Sequence, residues 1–229
     1  MRDQFAHDVR TSITHSPGSG GSPESPGSAV VVACGALAGE LRAVLDQLGA
    51  ADAVEVRYLP APLHNRPDQI VPALSAELDT IGDGRRVLVG YADCGTGGEL
   101  DRYLAQLTAG GADVVRLPGA HCYEMFAGAA RFAELHDAEP GTFYLTDFLA
   151  RHFDALVWQG LGLDRHPALR DAYFGNYTRL VLLSQSDDVS VLASARDAAQ
   201  RLGLDFAHLH VGRTELASAV SVQLTRAVV

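Results

Sequence analysis

The run Val87-Leu88-Val89-Gly90-Tyr91-Ala92-Asp93-Cys94-Gly95-Thr96-Gly97-Gly98-Glu99-Leu100 decides how the rest of the chain is read. It opens on apolar residues and passes through a glycine-rich turn that carries a thiol. It then enters a helical pattern with Leu100, Tyr103, Leu104 and Leu107 on one face. That is a strand, a turn and a helix, with a cysteine at the strand's carboxyl end. In open α/β sheets ligands bind at that end of the strands.

Outward from this unit the alternation repeats. Ala29-Val-Val-Val-Ala33 is a short continuous apolar run, as in a strand buried on both faces. Cys34-Gly35 turns the chain into a helix with Leu37, Leu41, Val44, Leu45 and Leu48, and Gly49 stops it. Val54 to Tyr58 alternates as a second strand, and Pro67 opens a helix carrying Ile70, Val71, Leu74 and Leu78. Beyond the 98–108 helix, Val114 to Leu117 reads as a strand leading to Pro118-Gly-Ala-His121-Cys122. Thr142 to Thr146, Leu180 to Leu183 and Phe206 to Val211 read as later strands. The stretch from Asp147 to Gly175 reads as mostly helical, with the chain's only tryptophan, Trp158. Strands separated by helices imply parallel crossovers. The expectation is a three-layer α/β fold with a mainly parallel sheet, built as two similar Rossmann-like halves or as one sheet, with a helical insert near 147–175.

The first and third units echo each other. Cys34-Gly35, Gly39-Glu40-Leu41 and Leu45-Asp-Gln47-Leu48 match Cys94-Gly95, Gly98-Glu99-Leu100 and Leu104-Ala-Gln106-Leu107 with a one-residue gap. Residues 29–49 and 86–110 are therefore candidate pseudo-repeat units within one α/β domain spanning 29–229. Residues 1–28 are Gly/Ser/Pro-rich, and such a segment buries too little apolar surface to offset its ordering entropy. They are expected to form a disordered tail.

Composition narrows the function. Apolar residues make up 47% of 229, enough for a real core. A net charge of −10 argues against nucleic acid and anionic membranes as partners. No stretch approaches the ~18 apolar residues of a membrane span. Met1 to Arg10 lacks the apolar core of a secretory signal. Three widely spaced cysteines fit reduced thiols in the cytoplasm better than a disulfide framework.

All three cysteines stand at expected strand-to-helix turns. A helix amino terminus favours thiolate, the form that binds soft metals and attacks electrophiles. Cys34, Cys94 and Cys122, or His121 in place of Cys122, could hold zinc, or an iron centre such as an iron–sulfur cluster. No C-x-x-C pair is present, so the ligands must converge through the fold. His64 and Arg66, in Leu63-His64-Asn65-Arg66-Pro67, are candidates to orient a small anionic substrate. Glu124 is a candidate acid or base. Gly95 and Gly97 could let backbone N–H groups approach an anion, although the turn is neither a Walker motif nor the dinucleotide fingerprint. Each site also has a plainer reading: a small buried hydrophobe for a cysteine, a loop hydrogen bond for His64, an ion pair for Arg66, a helix start for Glu124. The expected function is a cytoplasmic metal-binding protein, an enzyme of transferase or lyase type acting on a small molecule. The alternatives are a non-catalytic metallocofactor carrier or chaperone and a metal-free enzyme with Cys94 as nucleophile and His64 or His121 as base.

Several motifs together resemble one family. They are Ala33-Cys-Gly-Ala-Leu37, Leu63-His-Asn-Arg-Pro67, Gly90-Tyr-Ala-Asp-Cys-Gly95, Pro140-Gly-Thr-Phe-Tyr-Leu-Thr146 and Gly175-Asn-Tyr-Thr-Arg-Leu-Val181. In that order they are similar to the domain-of-unknown-function 1638 family of bacteria and archaea, across roughly residues 29 to 215. The chain departs from that pattern at Ala120-His121-Cys122, where the family reads Ala-His-Asp-Cys. The resemblance implies a cytosolic α/β protein. Through family members encoded near corrinoid-dependent methyltransferases, it implies one-carbon or thiol chemistry with a corrinoid or methyltransferase partner.

Overall fold

The computed structural model describes residues 29–225; the expected tail at 1–28 lies outside them. Among the described residues, seven parallel strands form two sheets. The first has the order β2-β1-β3-β4, with β1 at Ala29–Cys34, β2 at Val54–Leu59, β3 at Val87–Gly90 and β4 at Val114–Arg116. The second has the order β5-β6-β7, with β5 at Thr142–Thr146, β6 at Arg179–Ser184 and β7 at Asp205–His210.

The period-two geometry of a strand explains why β1 is apolar throughout. Val31 and Ala33 pack against helix α1 (Ala38–Gln47) through Leu41, Val44 and Leu45. Val30 and Val32 pack on the other face, with α2 (Ile70–Leu78) through Ile70 and Leu74 and with α3 (Glu99–Ala109) through Leu100 and Leu104. These are the three layers. The second sheet repeats the plan. Leu145, Leu180 and Leu182 face α6 (Asp147–Arg151) and α8 (Val189–Leu202). Tyr144, Val181 and Leu183 face Phe132 and Leu135 of α5 (Ala129–Ala138), which follows α4 (Cys122–Ala127).

Two details refine the sequence reading. The stretch 147–175 is not one insert helix. After α6 comes a π-helical turn at Asp154–Trp158, and only then α7 at Leu169–Phe174. Gly160, Gly162 (φ 75°) and Pro167 interrupt it. The two echoing units, β1-α1 and β3-α3, lie side by side within the first sheet.

The chain finally returns to its start. Helix α9, Thr214–Thr225, sets Leu216, Ala217 and Val220 into the same core as Leu41 and Val44 of α1. Beside it Arg213 pairs with the buried carboxylate of Glu40. The halves are tied again where Asn65 Nδ2 donates to Leu156 O in the π-helical turn, at 2.7 Å.

Candidate functional site

In the first sheet the chain runs from β1 to β2 on one side and then to β3 on the other. The boundary between β1 and β3 is therefore the topological switch point, where open α/β sheets bind ligands. Cys34 ends β1 there. The register pairs Ala33 with Gly90, so the next step sets Cys34 beside Tyr91. Gly90 makes this approach feasible, because a Cβ on it would lie 2.5 Å from Ala33 Cβ. The loop after β3 is then zipped to the loop after β4. Asp93 N donates to Gly119 O at 3.1 Å, and Cys94 N donates to Ala120 O at 2.9 Å. Cys122 follows two residues later. Three free, half-buried thiols thus come from the carboxyl ends of three adjacent strands. Cys34 and Cys94 touch the cores on both faces of the sheet, as residues at its rim do.

The thiols feel one another. Burial pushes Cys34 up. Cys94 is pushed up to about 12, by burial first and then by charge on Cys34. Cys122 is pushed up further, by burial and then by Cys94 and Cys34. This corrects the expectation of thiolates at helix amino termini. A single 3-10 turn, Gly35–Leu37, separates Cys34 from α1, α3 begins only at Glu99, and α4 has six residues. Cys34 caps that turn, and the Ala36 N–H draws its thiol down, but desolvation is the larger effect and decides the sign.

Tyr91 completes the cluster. It is 2% exposed, and its Oη is buried without a hydrogen-bond partner among the described residues. Burial, followed by charge on the neighbouring Cys34, pushes its phenol well above the usual range. The hydroxyl approaches the Cys34 thiol without completing a bond of good geometry.

The glycine turn has an internal occupant. The Asp93 carboxylate accepts from Thr96 Oγ1 at 2.6 Å, Gly97 N at 3.1 Å and Gly98 N at 2.8 Å. These contacts hold its carboxyl below the ordinary range, that from Thr96 most of all. The Gly97 amide proposed for an external anion is therefore already engaged. Gly95 (φ 81°) would bring a Cβ to 3.3 Å from Pro67 Cγ, so the Leu63–Pro67 loop leans on the cysteine turn. Cys94 itself has φ 51°, the one non-glycine residue in the left-handed region among those described. Backbone of this kind persists only where its surroundings enforce it, and it concentrates at functional sites.

The remaining candidates separate. His64 and His121 are both exposed and near each other. His64 is pushed toward its neutral form, first by desolvation and then by His121. The Arg66 guanidinium is exposed and its nearest acid is Asp68, at 3.9 Å. Glu124 Oε1 accepts from Ala120 N at 3.1 Å, the plain role of an acid at a helix start, and stands 3.9 Å from His121 Nδ1. Among the described residues, no group of three or more His, Cys, Asp or Glu side chains stands ready-arranged to hold a metal ion.

Two groupings escaped the sequence reading. His208 Nε2 and His210 Nδ1 lie 2.8 and 3.2 Å from Ser184 Oγ. Their i, i+2 spacing on one strand could have shown that they share a face. Tyr91 was legible only as part of a turn, because its partner across β1 depends on register.

The family described as "Protein of unknown function (DUF1638)" matches residues 58–220. The match takes in Cys94, His121 and Cys122, while Cys34 precedes it. No curated protein and no solved structure matches the chain.

Proposed function

We propose a function for this chain, which belongs to the DUF1638 family: Cys34, Cys94 and Cys122 bind one soft metal ion, zinc or iron, and a small molecule reacts beside it at the edge of the first sheet. The observation that carries the reading is the convergence of three thiols on the switch point beside the unpartnered Tyr91 hydroxyl. Three sulfurs are the donor set that soft divalent ions prefer. Each thiol is raised by burial and two of them also by charge on a neighbour, so three bare thiolates are mutually unfavourable. A cation reverses that sign and releases the protons. Because the thiols do not stand ready-arranged, binding includes rotation of their side chains about χ1. A metal-free cysteine nucleophile would need a depressed pKa, and these shifts run the other way.

When bound, such an ion lowers the pKa of a coordinated water or thiol. The chain's own groups divide the remaining work. Tyr91 Oη can donate to the neighbouring Cys34 sulfur at the buried end of the site. At the open end, neutral His64 can accept the proton a substrate releases. Cys122, rather than the exposed His121, is the third ligand, since His121 is 55% exposed and lies toward Glu124.

Elemental analysis and absorption spectra of anaerobically purified protein test this. About one equivalent of zinc or iron per chain is expected, with thiolate-to-cobalt charge-transfer bands after cobalt substitution. Both should vanish in Cys34→Ala and Cys94→Ala and survive in His121→Ala. A wild-type chain that neither carries nor takes up stoichiometric metal overturns the reading. Bound metal without turnover of thiols or methyl donors makes the protein a carrier instead of an enzyme.

A further inference from the structure

A cavity of about 670 Å³ opens between the start of α4, helix α5 and strand β5. That volume is in the range of small-molecule sites. Its walls are rings. Tyr123 stacks on Phe132 with centroids 5.8 Å apart and planes at 25°. His121 stacks on Tyr123 at 24°, and His136 stacks on Phe132 at 18°. Tyr144 closes the inner side, 5.0 Å from Phe132 and tilted. Such a run of near-parallel faces suits a flat ring system, which gains contact area and offset stacking together.

The polar groups narrow the ligand further. Glu124 and Asp137 line the cavity, and no arginine does; the chain contains no lysine at all. A phosphate or carboxylate would meet two carboxylates and no permanent cation. The two carboxylates instead accept hydrogen bonds from ring N–H or amino groups.

We infer that this cavity binds a planar nitrogen heteroaromatic molecule that carries no negative charge. The flat faces supply contact, and Glu124 and Asp137 accept from ring N–H or amino groups and exclude anionic analogues. No thiol lines the cavity, so the inference stands apart from the metal reading. His121 is nevertheless a cavity wall and the neighbour of His64, which places a bound ring beside the mouth of the thiol cluster.

Three-ring fluorescent probes of different charge test it on the full chain: cationic proflavine, neutral lumichrome and anionic anthracene-9-carboxylate. Anisotropy titrations run in about 0.3 M salt, which screens diffuse attraction to an acidic protein. Saturable binding near one probe per chain is expected for the first two, with the anion weaker by about tenfold or more, a difference of roughly 1.4 kcal/mol. Ala133→Trp, which adds bulk at an exposed wall position without removing core, should abolish binding. Cys34→Ala should leave probe binding intact whatever it does to metal content, which keeps the two sites distinguishable. Equal affinity for the anion, no saturable binding of any probe, or binding indifferent to Ala133→Trp overturns the inference.

Discussion

At the scale of single residues, the thiols set the chemistry and also a pH signature. Cys94 holds its proton up to about 12 in the folded chain, and Cys34 and Cys122 are raised with it. In the unfolded chain a thiol titrates near 8.5. Between those values the unfolded state binds fewer protons than the folded one, so stability falls as pH rises. The stabilisation from neutral, buried thiols is complete below about pH 8.5 and is lost as pH climbs toward 12. With no lysine in the chain, cysteine and tyrosine dominate side-chain titration in this window. Urea unfolding of reduced, chelator-treated protein should therefore show a decline between pH 9 and 11 of up to about 1.4 kcal/mol per pH unit for each thiol. Cys94→Ala should make the decline shallower by one thiol's share, with the slope from Cys34 and Cys122 remaining. A flat profile for the wild type would show that the sulfurs are not desolvated as described. That the cysteines stand after strand ends was legible in advance, because Gly and Cys follow the apolar runs. How they ionise was not, since burial outweighs local helix geometry and is a property of the packed fold. Tyr91 and the His208–His210 pair were missed for the same kind of reason, as cross-strand neighbours are invisible before register is known.

At the scale of elements, the first sheet depends on how closely β1 and β3 approach at their carboxyl ends. A Cβ at Gly90 would meet Ala33 Cβ at 2.5 Å and Ala33 Cα at 3.0 Å. Both contacts come from a buried central strand with little room to move, so the pair must spread. Gly90→Ala should cost about 1–3 kcal/mol, the usual range for overpacking. Because Cys34 sits one register step beyond, it should also weaken cobalt binding and shift its charge-transfer bands. A variant equal to wild type in both urea midpoint and cobalt spectrum would mean that this approach does not position the site. The central strands β1, β3 and β6 could be read from apolar runs, because parallel strands covered on both faces need no alternation, while the edge strand β2 was read from its alternation. The breakup of 147–175 was harder to see. Gly160, Gly162 and Pro167 interrupt the helical pattern, and the π-helical turn at Asp154–Trp158 is held by a distant partner, Asn65.

At the scale of the whole molecule, α9 decides whether the two sheets behave as one body. Its apolar face fills the core beneath α1, far back in the sequence, and nothing in the local periodicity of 214–225 names that partner. The same crossing brings Arg213 to Glu40, a carboxylate only 7% exposed. Removing Arg213 strands that charge in a largely dry setting, whereas removing both partners strands nothing. Arg213 is a third exposed, so water screens part of the pair and the low end of the buried-pair range applies. Arg213→Ala should destabilise the chain by roughly 2 kcal/mol. Glu40→Leu combined with Arg213→Ala should recover most of that loss, because leucine beside Leu41 and Val44 adds apolar burial where a carboxylate stood. The wild type should unfold in a single urea transition. Arg213→Ala should shift its midpoint, and if α9 is the main tie between the sheets, it should also broaden or split the transition. A double variant as unstable as Arg213→Ala alone would show that the arginine acts through packing, and that the stranded charge of Glu40 contributes little.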